Sequence, residues 1–131
     1  MARCAFLGLG VMGFPMAGHL AAAGHEVTVF NRTASKAERW TGAHAGKAAP
    51  TPKAAADGAE LVFMCLGNDD DVRSVVYGDD GALQGLGRDA VLIDHTTASA
   101  ALARELAAAA ADKGAGFVDA PVSGGQAGAE N

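Results

Sequence analysis

A glycine-rich turn near the start of the chain constrains the fold more than any other feature. Gly8, Gly10 and Gly13 form a G-x-G-x-x-G pattern that follows the apolar run 3–7 and precedes residues with helical spacing. In a strand-turn-helix unit, the first glycine permits a tight turn and the second lets the backbone approach a pyrophosphate. The third lets helix and strand pack closely. Such patterns also occur for purely structural reasons, so the surrounding residues decide its meaning.

The residues around the turn favour a nucleotide-binding strand-helix-strand unit. Met12, Met16 and Leu20 recur every four residues, which predicts an amphipathic helix, and Gly24 stands where that helix would end. Residues 26–30 alternate and are β-branched, which predicts a second strand. The positive end of the helix would then face the phosphates of a dinucleotide. The residues predicted to bind it are Gly8, Leu9, Gly10, Val11, Met12 and Gly13.

The end of the second predicted strand indicates which dinucleotide binds. An Asp or Glu here would accept hydrogen bonds from the ribose 2′-hydroxyl and would repel a 2′-phosphate. The chain instead has Asn31, Arg32 and Thr33, and the planar guanidinium of Arg32 suits a phosphate. We therefore predict NADP as the cofactor, with NAD as the alternative. The other interpretation of Arg32 is a solvated charge at a strand end.

Length, composition and charge fit one globular domain over residues 1–131. Half of the residues are hydrophobic, no 18-residue apolar span is present, and the net charge is −5. We therefore expect a cytoplasmic protein that contacts neither membrane nor nucleic acid. Local positive charge near the proposed phosphate end comes from Lys36, Arg39, Lys47 and Lys53.

Two cysteines and a run of acids are candidates for other chemistry. Cys4 and Cys65 both fall in apolar strand-like runs, so we predict buried thiols and not a disulfide or a nucleophile. The three consecutive acids at 69–71 point in different directions on a helix and suit its positive end. We therefore expect no metal site.

Helix and strand patterns alternate along the rest of the chain. Helices are predicted at 33–40, 51–57, 69–77 and 99–113, and strands at 45–49, 61–66, 90–94 and 116–119. The continuous apolar run 61–66 is typical of a parallel strand buried on both faces. The alternation predicts an α/β fold, a doubly wound, mostly parallel Rossmann-type sheet of about six strands with helices on both faces. The glycine turn would lie at its topological switch point.

A second glycine-rich loop follows the last predicted strand. It contains one hydroxyl, Ser123, followed by Gly124 and Gly125. Successive backbone N–H groups there could bind a carboxylate or a second phosphate, because ligands of parallel sheets bind beyond the carboxyl ends of strands. Taken alone, the stretch fits a flexible turn equally well.

Four blocks of the chain together resemble the β-hydroxyacid dehydrogenases, which include 3-hydroxyisobutyrate dehydrogenase, tartronate semialdehyde reductase and the glyoxylate/succinic semialdehyde reductases. In order, the blocks are GLGVMG with PMA, NRT, DHTT and DAPVSGG. The last block is the most specific, and it disfavours the related imine reductases. The 6-phosphogluconate dehydrogenases resemble the chain less closely.

The resemblance implies hydride transfer between NAD(P) and a small 3-hydroxy acid or the matching semialdehyde. It also implies that Ser123, Gly124 and Gly125 hold the substrate carboxylate. Thr97 would lie beside the nicotinamide, and Leu66 would flank the adenosine. A longer form of the protein would be a homo-oligomer.

One element of the family pattern has no counterpart in these 131 residues. The family's general acid/base is a lysine on a helix that leads into a following all-helical domain, and no lysine of this chain matches it. We therefore predict no catalytic residue here, and we expect this apparently truncated NAD(P)-binding domain to be inactive alone. The alternative is a stand-alone dinucleotide-binding module, which would have no use for a substrate loop.

Overall fold

The computed structural model describes residues 2–121, so the predicted substrate loop at 123–125 lies outside the described residues. The described residues form six strands and six helices. In chain order these are β1 (Arg3–Leu7), α1 (Gly13–Ala22), β2 (Glu26–Phe30), α2 (Ala34–Ala43), β3 (Lys47–Ala48), α3 (Pro52–Ala56), β4 (Leu61–Met64), α4 (Asp69–Val76), α5 (Ala82–Gly85), β5 (Val91–Asp94), α6 (Ala100–Asp112) and β6 (Gly116–Asp119).

All six strands form one parallel sheet in the order β3-β2-β1-β4-β5-β6. Phe6 of β1 pairs with Val29 on one side and with Phe63 on the other. The chain therefore runs outward from β1 in one direction and then returns to run outward in the other. This confirms the predicted doubly wound fold and its switch point, which lies beside the glycine turn.

Helices cover the sheet on both faces because each strand sends alternate side chains to opposite sides. Ala5 and Leu7 of β1 pack into a cluster with the buried residues of α3, α4, α5 and α6. Cys4 and Phe6 point the other way and pack with Ala17 of α1 and with α2. The two clusters form one layer of apolar packing on each side of the sheet.

The two faces are not covered equally. The prediction that residues 61–66 are buried on both faces is wrong, because Val62 and Met64 are buried whereas Leu61 and Phe63 are only half-buried. Val118 lies on the same face as Phe63 and is 47% exposed. The helices of the described part of the chain thus leave this end of the sheet partly open to solvent.

Side-chain caps begin three of the helices. Thr51 Oγ1 accepts from the Ala54 N–H in α3, and Asn68 Oδ1 accepts from the Asp71 N–H in α4. Ser99 does the same for α6. These bonds satisfy first-turn N–H groups that have no partner within the helix. None of the helices in residues 2–121 is long and apolar enough to cross a membrane.

Candidate functional site

A cavity of about 570 Å³ opens at the carboxyl edge of the sheet, beside the switch point. Residues that follow β1, β2 and β4 line it, together with part of α4. Every residue predicted to bind the cofactor lines it except Thr97. The lining comprises Gly8, Leu9, Gly10, Val11, Met12, Gly13, Phe30, Asn31, Arg32, Thr33, Lys36, Pro52, Cys65, Leu66, Gly67, Asp71, Ser74 and Val75.

The glycine turn lines this cavity, and its three glycines are needed for different reasons. Gly8 has a φ of +102°, and its N–H donates to the Phe30 carbonyl at 2.9 Å. A Cβ at Gly8 would collide with the Cys65 carbonyl, and one at Gly13 would collide with the carbonyl of Gly8. A Cβ at Gly10 would meet no atom within 4 Å. Gly8 and Gly13 are thus required by packing, whereas the space beside Gly10 is available to a ligand.

The side chain of Asn31 fixes the turn to the end of β2. Its Oδ1 accepts from the Leu9 N–H at 2.8 Å, and its Nδ2 donates to the Thr33 carbonyl at 3.1 Å. An amide is suited to this place because it both accepts and donates. The sequence placed Asn31 at the ribose position; the structure adds that it holds the glycine turn.

The start of α1 faces the cavity. The N-cap residue is Met12, which has no oxygen in its side chain to accept from the first turn. The Phe14 N–H donates to the Gly10 carbonyl at 3.0 Å. A helix N-terminus without a side-chain cap carries N–H groups and partial positive charge that suit a phosphate.

Charged side chains form the rim of the cavity near the end of β2. Arg32 is 76% exposed, and its Nη2 lies 3.1 Å from Oδ1 of Asp71, whose side chain is 27% exposed. Lys36 also lines the cavity, one helical turn after Thr33. From the sequence, Lys36 is predicted only as local positive charge, although its position in the helix after Arg32 is a usable signal. Nothing in the sequence around Asp71 connects it to the site.

The loop after β5 supports the opposite wall. Thr96 is buried, its Oγ1 accepts from the Leu66 N–H at 2.9 Å, and its own N–H donates to Asp94 Oδ1 at 2.9 Å. The hydroxyl at 96 thereby fixes Leu66 in the cavity wall. Burial raises the pKa of the Asp94 carboxyl above its usual range. Thr97 is exposed and is not part of the cavity lining, so its position beside a nicotinamide stays a prediction.

The cysteines behave as the sequence predicted. Cys4 and Cys65 are both buried and unbridged, which confirms the prediction of buried thiols. Burial raises the pKa of the Cys65 thiol, and the nearby Asp94 raises it further. The thiol is therefore held in its neutral form at the cavity wall. Within residues 2–121, no group of three or more His, Cys, Asp or Glu side chains could hold a metal ion.

These features together fit an extended dinucleotide. The turn and the start of α1 offer N–H donors to a pyrophosphate, with open space at Gly10 for its approach. Arg32 and Lys36 place positive charge where the adenosine ribose lies in such folds.

Residues 3–131 match the family described as the NAD binding domain of 6-phosphogluconate dehydrogenase. The chain belongs to this family. An uncharacterized oxidoreductase of Shewanella frigidimarina is 60% identical over all of this chain and 45% of its own length. The resemblance noted in the sequence is confirmed, since the similar solved structures include a 3-hydroxyisobutyrate dehydrogenase.

That structure is the Mycobacterium tuberculosis 3-hydroxyisobutyrate dehydrogenase with L-serine. It is 36% identical, with a TM-score of 0.89 over 99% of this chain and 43% of the solved chain. A structure of Psf3 in complex with NADP+ and 2-OPP is 32% identical, with a TM-score of 0.89 over 97% of this chain and 45% of that one. The chain thus spans less than half the length of the proteins it matches.

Proposed function

We propose that this chain binds NADP(H) as the cofactor-binding part, residues 1–131, of an NAD(P)-dependent 3-hydroxyacid dehydrogenase or semialdehyde reductase. The observation that carries the proposal is the position of Arg32 and Lys36 on the rim of the cavity that the glycine turn forms. The presence of NADP+ in the Psf3 structure supports the choice of cofactor. The description of relatives as oxidoreductases supports an enzyme over a stand-alone binding module.

In this proposal, different residues of the cavity bind different parts of the dinucleotide. The N–H groups of the glycine turn and of the start of α1 bind the pyrophosphate. Arg32 and Lys36 bind the 2′-phosphate, with Asn31 and Thr33 beside the ribose and Leu66 against the adenosine. The bound cofactor would supply or accept the hydride.

The substrate part of the proposal rests on the sequence blocks. Ser123, Gly124 and Gly125 would hold the carboxylate of a small hydroxy acid or semialdehyde, and Thr97 would lie beside that substrate and the nicotinamide. No catalytic residue is proposed within these 131 residues, because the family's general acid/base lysine has no counterpart in them. We therefore expect cofactor binding, and not turnover, to be the measurable property of this chain.

The test of cofactor choice is calorimetric titration with NADPH and NADH. We expect NADPH to bind more tightly, because a charge-assisted contact to the 2′-phosphate has no counterpart with a 2′-hydroxyl. The Arg32→Ala variant should lose about 1.5–3 kcal/mol of NADPH binding, or about 10- to 150-fold in Kd, with little change for NADH.

Arg104→Ala is the matched control, since it removes one exposed positive charge from α6, away from the cavity lining. It should leave both Kd values unchanged. Equal affinities for NADPH and NADH in the unsubstituted chain would overturn the choice of NADP. Binding of neither would overturn the proposed function.

A further inference from the structure

We propose that Asp71 sets how strongly this chain discriminates between NADPH and NADH, by competing with the 2′-phosphate for Arg32. The inference rests on the proposed function, because it concerns the same cavity and the same ligand. It adds a specificity-determining residue from a distant part of the chain. Neither the glycine motif nor the NRT block points to Asp71, and the structure alone brings it to the site.

The order of the strands creates the encounter. Arg32 follows β2 and Asp71 lies in the first turn of α4, which follows β4. Strands β2 and β4 flank β1 on opposite sides, and the glycine turn follows β1. The ion pair therefore joins the two walls of the cavity on either side of the turn, with 3.1 Å between Nη2 and Oδ1.

The backbone of Asp71 is held at the start of α4, and its side chain is the less exposed member of the pair. Its N–H donates to the Asn68 cap at 2.9 Å, and its carbonyl accepts from Ser74 Oγ at 2.7 Å. Its second carboxylate oxygen packs against Gly67, where an added Cβ would lie only 2.8 Å from it. Arg32 is far more exposed, so its guanidinium can reorient towards a ligand while the carboxylate stays at the cavity wall.

Of the three consecutive acids at the start of α4, only Asp71 lines the cavity. Asp69 accepts two hydrogen bonds from Ser99, at 2.9 Å from its N–H and 2.6 Å from its hydroxyl. Asp70 is 98% exposed, and its nearest described cation is Arg73 at 4.0 Å. Asp69 is therefore bound to Ser99, and Asp70 lies in solvent. Asp70 is the control for the loss of one negative charge at the start of α4.

The competition affects one cofactor and spares the other. A 2′-phosphate carries about 1.5–2 negative charges at pH 7, so it is repelled by the Asp71 carboxylate and competes with it for the N–H donors of Arg32. A 2′-hydroxyl carries no charge, so it neither competes for Arg32 in this way nor is repelled by Asp71. Asp71 thus weakens NADPH binding while leaving NADH binding unchanged. An exposed ion pair of this kind corresponds to about a 1.5- to 5-fold change in an equilibrium constant.

The experiment titrates the 131-residue chain and its Asp71→Asn and Asp70→Asn variants with NADPH and with NADH. Asp71→Asn should lower the Kd for NADPH by about 1.5- to 5-fold and leave that for NADH unchanged. Asp70→Asn removes the same charge from the same helical turn and should change neither. The gain from Asp71→Asn should shrink when salt rises from about 0.01 to 0.3 M, because surface charges are screened.

A ratio of NADPH to NADH affinity that does not change in Asp71→Asn, or changes equally in Asp70→Asn, would overturn the inference. Weaker NADPH binding would also overturn it, since the carboxylate would then be orienting Arg32 for the phosphate. Thermal melts check that each variant folds. If Asp71→Asn does not fold, Asp71→Ser removes the same charge and replaces it in the experiment.

Arg32→Ala in the same experiment separates the two proposals. If that variant loses NADPH affinity and Asp71→Asn has no effect, only the role of Asp71 fails. If it leaves the ratio unchanged, Arg32 does not bind the 2′-phosphate, and the role of Asp71 fails because it acts through Arg32.

Discussion

Three glycines in one six-residue turn are glycine for two different reasons. Gly8 and Gly13 are fixed by contacts inside the protein, because a side chain at either would collide with a backbone carbonyl. Gly8 also has a left-handed backbone, in which other residues are strained. Gly10 has neither constraint. Its lack of a side chain therefore matters only if something enters the space beside it.

The Gly10→Ala variant turns this difference into a prediction. Its free energy of unfolding should stay within about 0.5 kcal/mol of the unsubstituted chain, as for an exposed substitution. Its dinucleotide binding should weaken by about 1–3 kcal/mol, because the added methyl overfills the space for a pyrophosphate. Urea unfolding and calorimetric titration measure the two quantities.

Gly8→Ala is the comparison. It should lose about 1–3 kcal/mol of stability from backbone strain alone, before any ligand is added. Unchanged dinucleotide affinity in Gly10→Ala would show that no phosphate approaches this turn.

Local patterns identified most residues of the cavity, and distance along the chain explains those that were missed. Gly8 to Gly13 form one motif, and Asn31 and Arg32 end the strand that the motif anticipates. Asp71 lies 39 residues from Arg32, and the two meet only because β2 and β4 flank β1. Such a pairing follows from the strand order and cannot be read from either segment.

At the scale of elements, a network of side chains joins α4 to α6. Arg73 donates two hydrogen bonds to Glu105, at 3.3 and 3.2 Å, and the Tyr77 hydroxyl donates a third at 2.7 Å. Asp69 accepts from Ser99 at the start of α6. Bonds from Arg73 and Tyr77 hold the pKa of Glu105 below its usual range, and bonds from Ser99 do the same for the pKa of Asp69. The pKa of Tyr77 is raised to about 12, mainly by burial and then by the hydrogen bond to Glu105 and its negative charge.

These shifts predict how stability depends on pH. Asp69 and Glu105 have lowered pKa values in the folded chain. Their contribution is present above the unfolded values near about 4 and is lost as the pH falls through the lower folded values. Tyr77 has a raised pKa, so its contribution is present below pH 10 and is lost as the pH rises through about 12.

Urea unfolding across the two pH ranges checks this. In Glu105→Gln, the free energy of unfolding should depend less on pH in both the acid and the alkaline range. Glu38→Gln, on the exposed side of α2, should alter neither dependence. Identical pH profiles for Glu105→Gln and the unsubstituted chain would contradict the assignment.

The sequence predicted the longer elements well and the short or buried ones less well. Glycines and caps gave close bounds for the long helices, as in α6, which begins after Ser99. The four-residue α5 was missed, because so short a segment has no readable period. The apolar run 61–66 was assigned burial on both faces, but periodicity cannot reveal whether a helix covers each face of a strand.

At the scale of the whole molecule, the sheet is packed more fully on one face than on the other. Leu92 of β5 is buried in the cluster that α6 covers, whereas Val118 of β6 points to the other face and is 47% exposed. Leu92→Ala should cost about 2–5 kcal/mol of unfolding free energy, from lost transfer energy and the cavity left behind. Val118→Ala should cost no more than about 1 kcal/mol.

Chemical denaturation, analysed with one m-value for all variants, measures the free energies of unfolding of Leu92→Ala and Val118→Ala. Similar losses for the two variants would show that the exposed end of the sheet is covered in solution.

The overall architecture was predictable because it follows from the order of elements and from handedness. Alternation with short connections leaves few parallel arrangements, and right-handed crossovers select among them. All six described strands obey that order. What the order could not give is which side chains meet across β1, since those contacts depend on rotamers and loop paths on both sides.

The central place of β1 has a consequence in time. Of the described strands it is synthesised first, yet it gains its second neighbour only when β4 has been made. At about 5–20 residues per second, the ribosome needs about 3–11 s to pass from Leu7 to Met64. Throughout that interval one edge of an apolar strand has no partner in the nascent chain. The interval in which this edge can pair wrongly with another chain therefore ends only after residue 64 has left the ribosome.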